Sequence, residues 1–240
     1  MRKRIRKWAA LMMAMVLTGL PGAFAAVPTV SLLEGEILQE QEDGSFLLQS
    51  LSMGEVLVKV SEATGWEGMD RAVPGAYVTV AYNGIMTKSL PPQVTADRVS
   101  CYRLEGTVLE ADLPEGIILV DSLGLGPVLV RLPQLDVQPG TGDFVLVYYT
   151  GVMAMSLPGQ VTGQKVSVLV AEEGTVTEMG EGFFLTEGGN GTVRVNTDSL
   201  SRIPEPLETG DAVKVYYSGI MTRSIPPQMY ALAVLRVLDE

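Results

Sequence analysis

The chain contains the twelve-residue stretch Tyr82-Asn83-Gly84-Ile85-Met86-Thr87-Lys88-Ser89-Leu90-Pro91-Pro92-Gln93. The same pattern returns at residues 149–160 and again at residues 217–228. The glycines of the three copies, Gly84, Gly151 and Gly219, lie 67 and then 68 residues apart. A pattern of this length at a nearly constant period indicates an internal repeat.

The repeating unit also has a constant opening. Each unit begins with a Glu-Gly pair, namely Glu34-Gly35, Glu105-Gly106 and Glu173-Gly174. Together with the recurring stretch, these pairs predict three tandem units at residues 34–104, 105–172 and 173–240. No Gly/Ser-rich or Pro-rich linker separates them, and a unit of this size is close to the lower limit for burying a core alone. We therefore expect neighbouring units to pack against each other.

The periodicity inside each unit is that of β-strands. Apolar and polar residues alternate over short runs, and Asp43-Gly44, Glu115-Gly116 and Glu181-Gly182 supply hairpin-turn residues between the first two runs. Five such runs recur in each unit, and the longest irregular connection lies between the third and the fourth. A short helical turn is expected at most near residues 61–69 or 198–203. The predicted fold class is all-β.

This pattern resembles an OB-fold, a five-stranded Greek-key barrel. The chain also resembles small secreted bacterial OB-fold proteins, in which a Tyr-x-Gly turn precedes a short Pro-Gln segment before the last strand. Gly84, Pro92 and Gln93 carry that resemblance. It implies three tandem five-stranded OB-like barrels over nearly all of residues 34–240. A β-trefoil, whose units are shorter and four-stranded, and a single β-sandwich are the alternatives that the pattern leaves open.

Residues 1–25 have the pattern of a secretory signal peptide. An apolar run at residues 8–20 is followed by Ala23-Phe24-Ala25, a small-x-small cleavage pattern. The run is short for a membrane span, which needs about 20 residues, so an uncleaved N-terminal anchor is the less favoured alternative. We predict an exported chain, secreted or at the cell surface, with no membrane span in the mature chain. The cationic residues before the run are Arg2, Lys3, Arg4, Arg6 and Lys7.

The composition excludes several kinds of chemistry. Of the 240 residues, 47% are hydrophobic and only 19% are charged, which is typical of a folded chain. There is no His and a single Cys, Cys101, so Ser-His-Asp and Cys-His catalysis, His-ligated metals and an internal disulfide are excluded. We predict no catalytic residue, no cofactor and no metal site. A hydrolase that uses paired carboxylates remains a weaker alternative.

The charge balance argues against one class of partner. The leader holds five of the 17 basic residues and none of the 28 acidic ones, which leaves 12 against 28, a net charge of −16. Such a surface repels DNA, RNA and anionic lipid at long range. The sequence therefore predicts no nucleic-acid partner.

The recurring stretch is the first candidate site, because in an OB-fold the connection between the fourth and fifth strands flanks the binding face. One hypothesis makes it a ligand-contacting loop, with adaptable methionines and two cations as contacts. These residues are Met86, Lys88, Met153, Met221 and Arg223.

The other hypothesis makes the stretch a structural corner that closes one end of each barrel. Glycines at positive φ, prolines that interrupt strand pairing and glutamines that satisfy the turn are the expected parts. Recurrence in every unit favours this hypothesis. The residues concerned are Gly84, Pro92, Gln93, Gly151, Gln160, Gly219, Pro227 and Gln228.

The second candidate site is a cation on the third strand of each unit, at Lys59, Arg131 and Arg194. Each alternates with apolar neighbours, so it is expected to point away from the core. The cations either contact a ligand on this face or keep the strand solvated.

Acidic clusters are a third, weaker candidate. Glu40-Gln41-Glu42-Asp43, Asp112 with Glu115, and Glu172-Glu173 offer oxygen ligands for Ca²⁺. None matches the spacing of a calcium-binding loop, so we expect them to be solvated surface.

These observations predict a secreted, non-enzymatic binding module of three barrel repeats. Its partner is expected to be a protein or a glycan. The alternative is a structural or inhibitory envelope protein without a small-molecule ligand. The sequence does not fix the oligomeric state.

Overall fold

The computed structural model describes residues 30–132 and 137–237, and over these ranges the chain is built from strands and contains no helix. The predicted signal peptide at residues 1–25 lies outside the described residues. The chain forms three successive sheets, and each sheet is made from consecutive strands.

The first sheet closes into a barrel. Its third and fifth long strands, β3 and β6, run parallel, whereas β1 pairs antiparallel with both β2 and β5, and β5 with β6. A short extra strand, β4, adds to the end of β6. The strands are β1 (Ser31–Glu40), β2 (Phe46–Ser50), β3 (Gly54–Lys59), β4 (Gly65–Glu67), β5 (Tyr77–Tyr82) and β6 (Gln93–Ser100).

The second sheet is a closed barrel of five strands. Here too the third and fifth strands are parallel, and the other neighbours are antiparallel. The strands are β7 (Tyr102–Asp112), β8 (Ile117–Ser122), β9 (Gly126–Arg131), β10 (Phe144–Tyr149) and β11 (Gly159–Val168).

The third sheet has the same order, but its fifth strand is divided into two pieces. The first piece, β16, runs parallel to the third strand, and the second, β17, pairs antiparallel with the fourth. The strands are β12 (Val170–Gly180), β13 (Phe183–Gly188), β14 (Gly191–Asn196), β15 (Ala212–Tyr217), β16 (Gln228–Tyr230) and β17 (Ala233–Arg236).

The strand order in each sheet, first-second-third-fifth-fourth and back to the first, is that of an OB-fold barrel. The prediction of an all-β chain with three tandem OB-like barrels is confirmed, and the β-trefoil and the single sandwich are excluded. One local expectation was wrong: residues 65–67 form strand β4, and residues 198–203 form a turn and an isolated bridge at Arg202. The loop there is held by Asp198, which caps it without a helix.

The Glu-Gly opening has a steric cause. A Cβ atom on Gly35 would lie 2.1 Å from the carbonyl oxygen of Gln49, and one on Gly106 would lie 2.1 Å from that of Asp121. The first strand of each barrel pairs with the second and the fourth at once, so its backbone comes very close to a neighbour at this point. Only glycine has no Cβ there. A β-bulge follows in the same strand of every barrel.

Each barrel has its own apolar core, formed by the inward-facing residues of the alternating strands. The barrels also contact one another. The ring of Phe144 in the second barrel stacks on Tyr216 in the third at 3.7 Å between centroids, and Tyr77 in the first lies 6.3 Å from Tyr148 in the second. The largest fully buried core side chains include Phe46, Leu48, Leu104, Ile118, Phe184 and Met229.

The joints between the barrels are one residue long. Cys101 alone separates β6 from β7, and Leu169 alone separates β11 from β12, and both are buried. The buried carboxylate of Glu105 forms ion pairs with two arginines. Its Oε1 lies 2.9 Å from Arg103 Nε, and its Oε2 lies 3.7 Å from Nη1 of Arg202 in the third barrel. Neighbouring barrels are thus joined by short, buried backbone.

Candidate functional site

The connection between the fourth and fifth strands has nearly the same geometry in the first and third barrels. We name these connections the first loop (residues 83–92), the second loop (150–158) and the third loop (218–227). In the first loop, Thr87 N donates to Gln93 O at 3.0 Å, and Gln93 N donates to Thr87 Oγ1 at 2.8 Å. Ser89 lies 2.7 Å from Thr87 between hydroxyl oxygens and donates to Pro91 O at 2.8 Å. Hydrogen bonds therefore fix the backbone of the loop.

The third loop repeats this network. Thr222 N donates to Gln228 O at 2.8 Å, Gln228 N to Thr222 Oγ1 at 2.9 Å, and Ser224 Oγ to Pro226 O at 2.8 Å. The second loop keeps only part of it, because Ala154 stands where the other two have threonine. Its backbone N–H still donates to Gln160 O at 2.8 Å, but no side-chain hydroxyl is present at that position.

The loop glycines take a left-handed backbone, with φ of +81° at Gly84, +82° at Gly151 and +85° at Gly219. At Gly151 a Cβ atom would also lie 2.5 Å from the ring of Tyr102. Glycine is the residue that adopts this conformation without a steric cost.

Prolines attach the ends of the first and third loops to the third strand of their barrels. Pro92 O accepts from Leu57 N, and Pro227 O accepts from Arg194 N, both at 2.9 Å. Gln93 and Gln228 close the turn with their backbone N–H and C=O groups, and not by the side-chain contacts that the structural-corner hypothesis assigned to them. Gln160 likewise contributes backbone groups to the turn.

The methionines of the loops face inward. Met86, Met153 and Met221 are half-buried, and each packs against the apolar core of its own barrel. They anchor the loops to the barrel cores. The two loop cations, Lys88 and Arg223, are exposed.

The outermost residues of the loops are aliphatic. Leu90 is 96% exposed, Leu157 is 103% exposed and Ile225 is 101% exposed, at the same position of the three loops. Sequence reasoning did not single them out, although the recurring Ser-aliphatic-Pro triplet was the signal that could have identified them. Further exposed aliphatic side chains in the loops are Ile85, Val152, Met155 and Ile220.

The cations of the third strands share a face but not a register. Lys59 pairs with Thr95 and Arg131 with Thr162, two positions after the glutamine pair of each barrel, whereas Arg194 pairs with Gln228 itself. The residue of the third barrel that corresponds to Lys59 and Arg131 is therefore at position 196. The three cations therefore do not occupy one repeated position. Residues two apart along a strand point to the same side, so alternation alone does not determine the register.

Arg194 also has its own contacts. Its guanidinium lies 3.5 Å from the centroid of the Phe183 ring, and Nε donates to Asn196 Oδ1 at 3.0 Å. Lys59 and Arg131 are exposed, whereas Arg194 is half-buried by these neighbours. The three cations are thus not equivalent in position or in surroundings.

Two open hollows lie beside the loops, on the outer face of the second and third strands. The hollow of the first barrel, about 690 Å³, is bounded by the β1–β2 hairpin with Glu40, Glu42 and Asp43, by Leu47 and Leu57, and by Pro91. The hollow of the second barrel, about 650 Å³, is lined by Leu119, Leu125, Pro127 and residues 153–159 of the second loop. The first is rimmed by carboxylates and the second is largely apolar.

The acidic clusters take part in local hydrogen bonding. The side-chain hydroxyl and backbone N–H of Ser45 donate to Asp43, which lowers the pKa of that carboxyl. Asp112 accepts from Glu115 N at 3.3 Å, and Glu173 is paired with Lys214 at 2.9 Å. Over the described ranges, no group of three or more Asp, Glu, Cys or His side chains is arranged to hold a metal ion.

The described part of the chain contains no helix with the length and hydropathy needed to cross a bilayer. Burial raises the pKa of the Cys101 thiol to about 11, the nearby Arg103 cation opposing this effect. The buried side chain is therefore a neutral thiol at ordinary pH.

Comparison with known proteins gives limited information. No protein-family model matches the chain, and no curated protein matches it. Among solved structures, a Drosophila protein described as Unr CSD456 is similar over 87% of this chain and 98% of its own, with 13% identity and a TM-score of 0.21. A multidomain protein with nucleic acid binding domains from Streptococcus pneumoniae is similar over 84% of this chain and 72% of its own, with 14% identity and a TM-score of 0.21.

The prediction that excluded a nucleic-acid partner is withdrawn, because the second of these matches is described by its nucleic acid binding domains. That prediction was wrong in its reasoning, because it used the net charge of the whole chain. Binding depends on the charge of the contacting surface, which can differ in sign from the total. At this TM-score the two matches carry no further argument about the present chain.

Proposed function

We propose that the chain is an exported, non-enzymatic docking module, in which three barrels hold three equivalent loops against a partner surface. The observation that carries the proposal is the nearly complete exposure of Leu90, Leu157 and Ile225. Burying an aliphatic side chain of this size on a partner is worth about 1.5–3 kcal/mol. The three loops expose such a side chain at equivalent positions. This leaves apolar area that a partner can bury.

The hydrogen bonds of the loops support the same proposal. The backbone is fixed by the contacts of Thr87 with Gln93 and of Thr222 with Gln228, and the loops are anchored by their methionines. A loop that is already ordered loses less conformational entropy on binding than a flexible one. The structural role of the inner loop residues and the docking role of the outer ones are therefore compatible.

The alternative is a structural or inhibitory envelope protein that binds nothing through these loops. The inward-facing methionines favour it, because they close the barrel ends in the way a purely structural corner requires. It gives no reason for the aliphatic residue that each loop exposes beside them. Docking accounts for both features.

Of the partners expected from the sequence, an apolar surface fits these loops better than a glycan. Aliphatic side chains offer no hydrogen bonds to sugar hydroxyl groups, and residues 83–92, 150–158 and 218–227 contain no Phe, Tyr or Trp on which a sugar ring could stack. Proteins and lipids both present apolar area.

The test is cosedimentation of the purified chain with isolated bacterial cell envelopes. The triple variant L90S/L157S/I225S is compared with the double variant L51S/L109S, which alters exposed leucines outside the loops. We expect the loop variant to lose at least about tenfold in binding, and the control to bind like the wild type. Equal binding of all three proteins, or no binding of any, would contradict the docking function.

A further inference from the structure

The three loops differ in charge from the rest of the chain. Residues 83–93, 150–160 and 218–228 contain no Asp or Glu, although the whole chain has 28 acidic residues against 17 basic ones. The first loop carries the exposed Lys88 and the third carries the exposed Arg223. At the equivalent position the second loop has Met155, which is completely exposed. The exposed side chains of the first and third loops are therefore apolar with one cation each, and the second loop carries no charge.

The repetition of this chemistry limits the choice of partner. Three loops with the same exposed aliphatic residue require either three equivalent sites on one partner or a surface that is the same everywhere. Each tip residue, Leu90, Leu157 or Ile225, is almost fully exposed, so its side chain projects into solvent. Folded protein partners bind through closely packed, complementary surfaces. A bilayer is uniform and fluid, and accommodates single projecting side chains.

From these observations we propose that the three loops dock on an anionic lipid bilayer, with the aliphatic tips buried at the boundary between headgroups and acyl chains, and with Lys88 and Arg223 beside the lipid phosphates. The proposal rests on the docking function and names its partner. Apolar burial combined with cation–headgroup attraction is the physical basis of interfacial membrane binding.

The negative charge of the whole chain is compatible with this contact. Charges separated by more than about 8 Å are largely screened at physiological ionic strength. Repulsion between the acidic barrel surfaces and the lipid slows the approach at long range, and Glu40, Glu42 and Asp43, which border the hollow beside Pro91, oppose the contact of the first loop. The loops themselves contain no Asp or Glu. Attachment therefore requires the apolar tips and is strengthened by the two cations.

The experiment is flotation with two kinds of vesicle. One kind contains phosphatidylcholine alone, and the other contains about 30% of the anionic lipid phosphatidylglycerol. The wild-type chain over residues 26–240 is compared with L90S/L157S/I225S, with K88Q/R223Q and with the control L51S/L109S. We expect binding to the anionic vesicles that falls at least about tenfold in the tip variant. The charge variant is expected to lose about tenfold on anionic vesicles and to show no preference between the two compositions.

Two results would overturn the lipid proposal: no wild-type binding to anionic vesicles, or equal binding of the wild type and the tip variant. If vesicles are not bound but envelope binding still depends on the tips, the docking function stands, and its partner is a protein or a glycan. If neither vesicles nor envelopes are bound, both proposals fail. Circular dichroism and urea unfolding of every variant separate a loss of binding from a loss of fold.

Discussion

Gln93 and Thr87 form a reciprocal clamp across the first loop: Thr87 N donates to Gln93 O at 3.0 Å, and Gln93 N donates to Thr87 Oγ1 at 2.8 Å. The same clamp joins Thr222 and Gln228 in the third loop. The second loop lacks its side-chain half, because the corresponding residue is Ala154. Two loops of the same chain therefore have the threonine hydroxyl at this position, and one loop does not.

Removal of the clamp hydroxyl is expected to weaken a barrel without unfolding it. The variant T87A should lower the free energy of unfolding by about 0.5–1.5 kcal/mol, since the hydrogen bond from Gln93 N and the hydroxyl contact with Ser89 are both lost and, being exposed, are replaced by water. Urea denaturation measures the change. The variant A154T is the reverse test, and should leave stability unchanged or raise it by about the same amount. A larger loss in T87A than about 3 kcal/mol would show that the hydroxyl does more than close the turn.

The glycine in the first strand of each barrel is expected to be nearly intolerant of a side chain. G106A should destabilise the second barrel by about 3 kcal/mol or more, because the new Cβ would lie 2.1 Å from Asp121 O, an immobile backbone atom. The control is G189A, since a Cβ at Gly189 meets nothing within 4 Å. Thermal unfolding of both variants provides the measurement, and equal melting temperatures would disprove the steric explanation of the Glu-Gly pair.

The pKa of Cys101 gives stability a dependence on alkaline pH. Burial raises the thiol pKa from 9.0 to about 11, so between these values the unfolded chain loses the proton and the folded chain keeps it. The unfolded state then binds fewer protons, and stability falls as pH rises through this window, by up to about 1.4 kcal/mol per pH unit. Below pH 9 the neutral thiol makes its full contribution to the free energy of unfolding.

Urea midpoints at pH 8, 9 and 10 measure the decline, and C101A should remove the part of it that comes from the thiol. The buried Tyr77 and Tyr148, whose pKa values burial also raises, contribute to the remainder as the pH reaches 10. In the native wild type, Ellman's reagent at pH 8 should react with the thiol far more slowly than in the urea-unfolded chain, because the side chain is buried and neutral. Rapid labelling of the folded protein would contradict the placement of Cys101.

The stacking of Phe144 on Tyr216 is expected to hold the second and third barrels together. Y216A should increase the rate of limited proteolysis at residues 167–173, where only Leu169 separates β11 from β12. The matched control is Y230A, which removes an exposed tyrosine of the third barrel. Rapid cleavage of the wild-type chain into stable thirds would show that the barrels are independent.

The strand cations are expected to contribute little to docking. K59A/R131A/R194A should change binding to envelopes and to anionic vesicles by less than about twofold, because none of the three cations belongs to a loop and the three do not form one repeated surface. A glycan array with the same variant checks the alternative role of this face. A tenfold loss of binding in this variant, whose loop tips are intact, would show that the binding site lies on the strands and not on the loops.

The periodic pattern of the sequence was sufficient to predict the strands and their fold class, because inward-facing residues such as Phe46 and Leu48 must alternate with outward-facing ones in a half-buried strand. The recurring stretch also located the loops between the fourth and fifth strands. These features depend on local chemistry and on a repeat that can be compared within the chain itself.

Only the tertiary structure decided which residues of each loop point inward and which point outward. Met86 and Leu90 are both apolar, and no strand or helix period covers them, yet one packs on the barrel core and the other is fully exposed. The register of Arg194 against Gln228 was likewise undetermined, since its outward direction is shared with every second residue of the strand. Loop direction and strand register depend on contacts between residues far apart in the chain, and those contacts exist only once the barrel has closed.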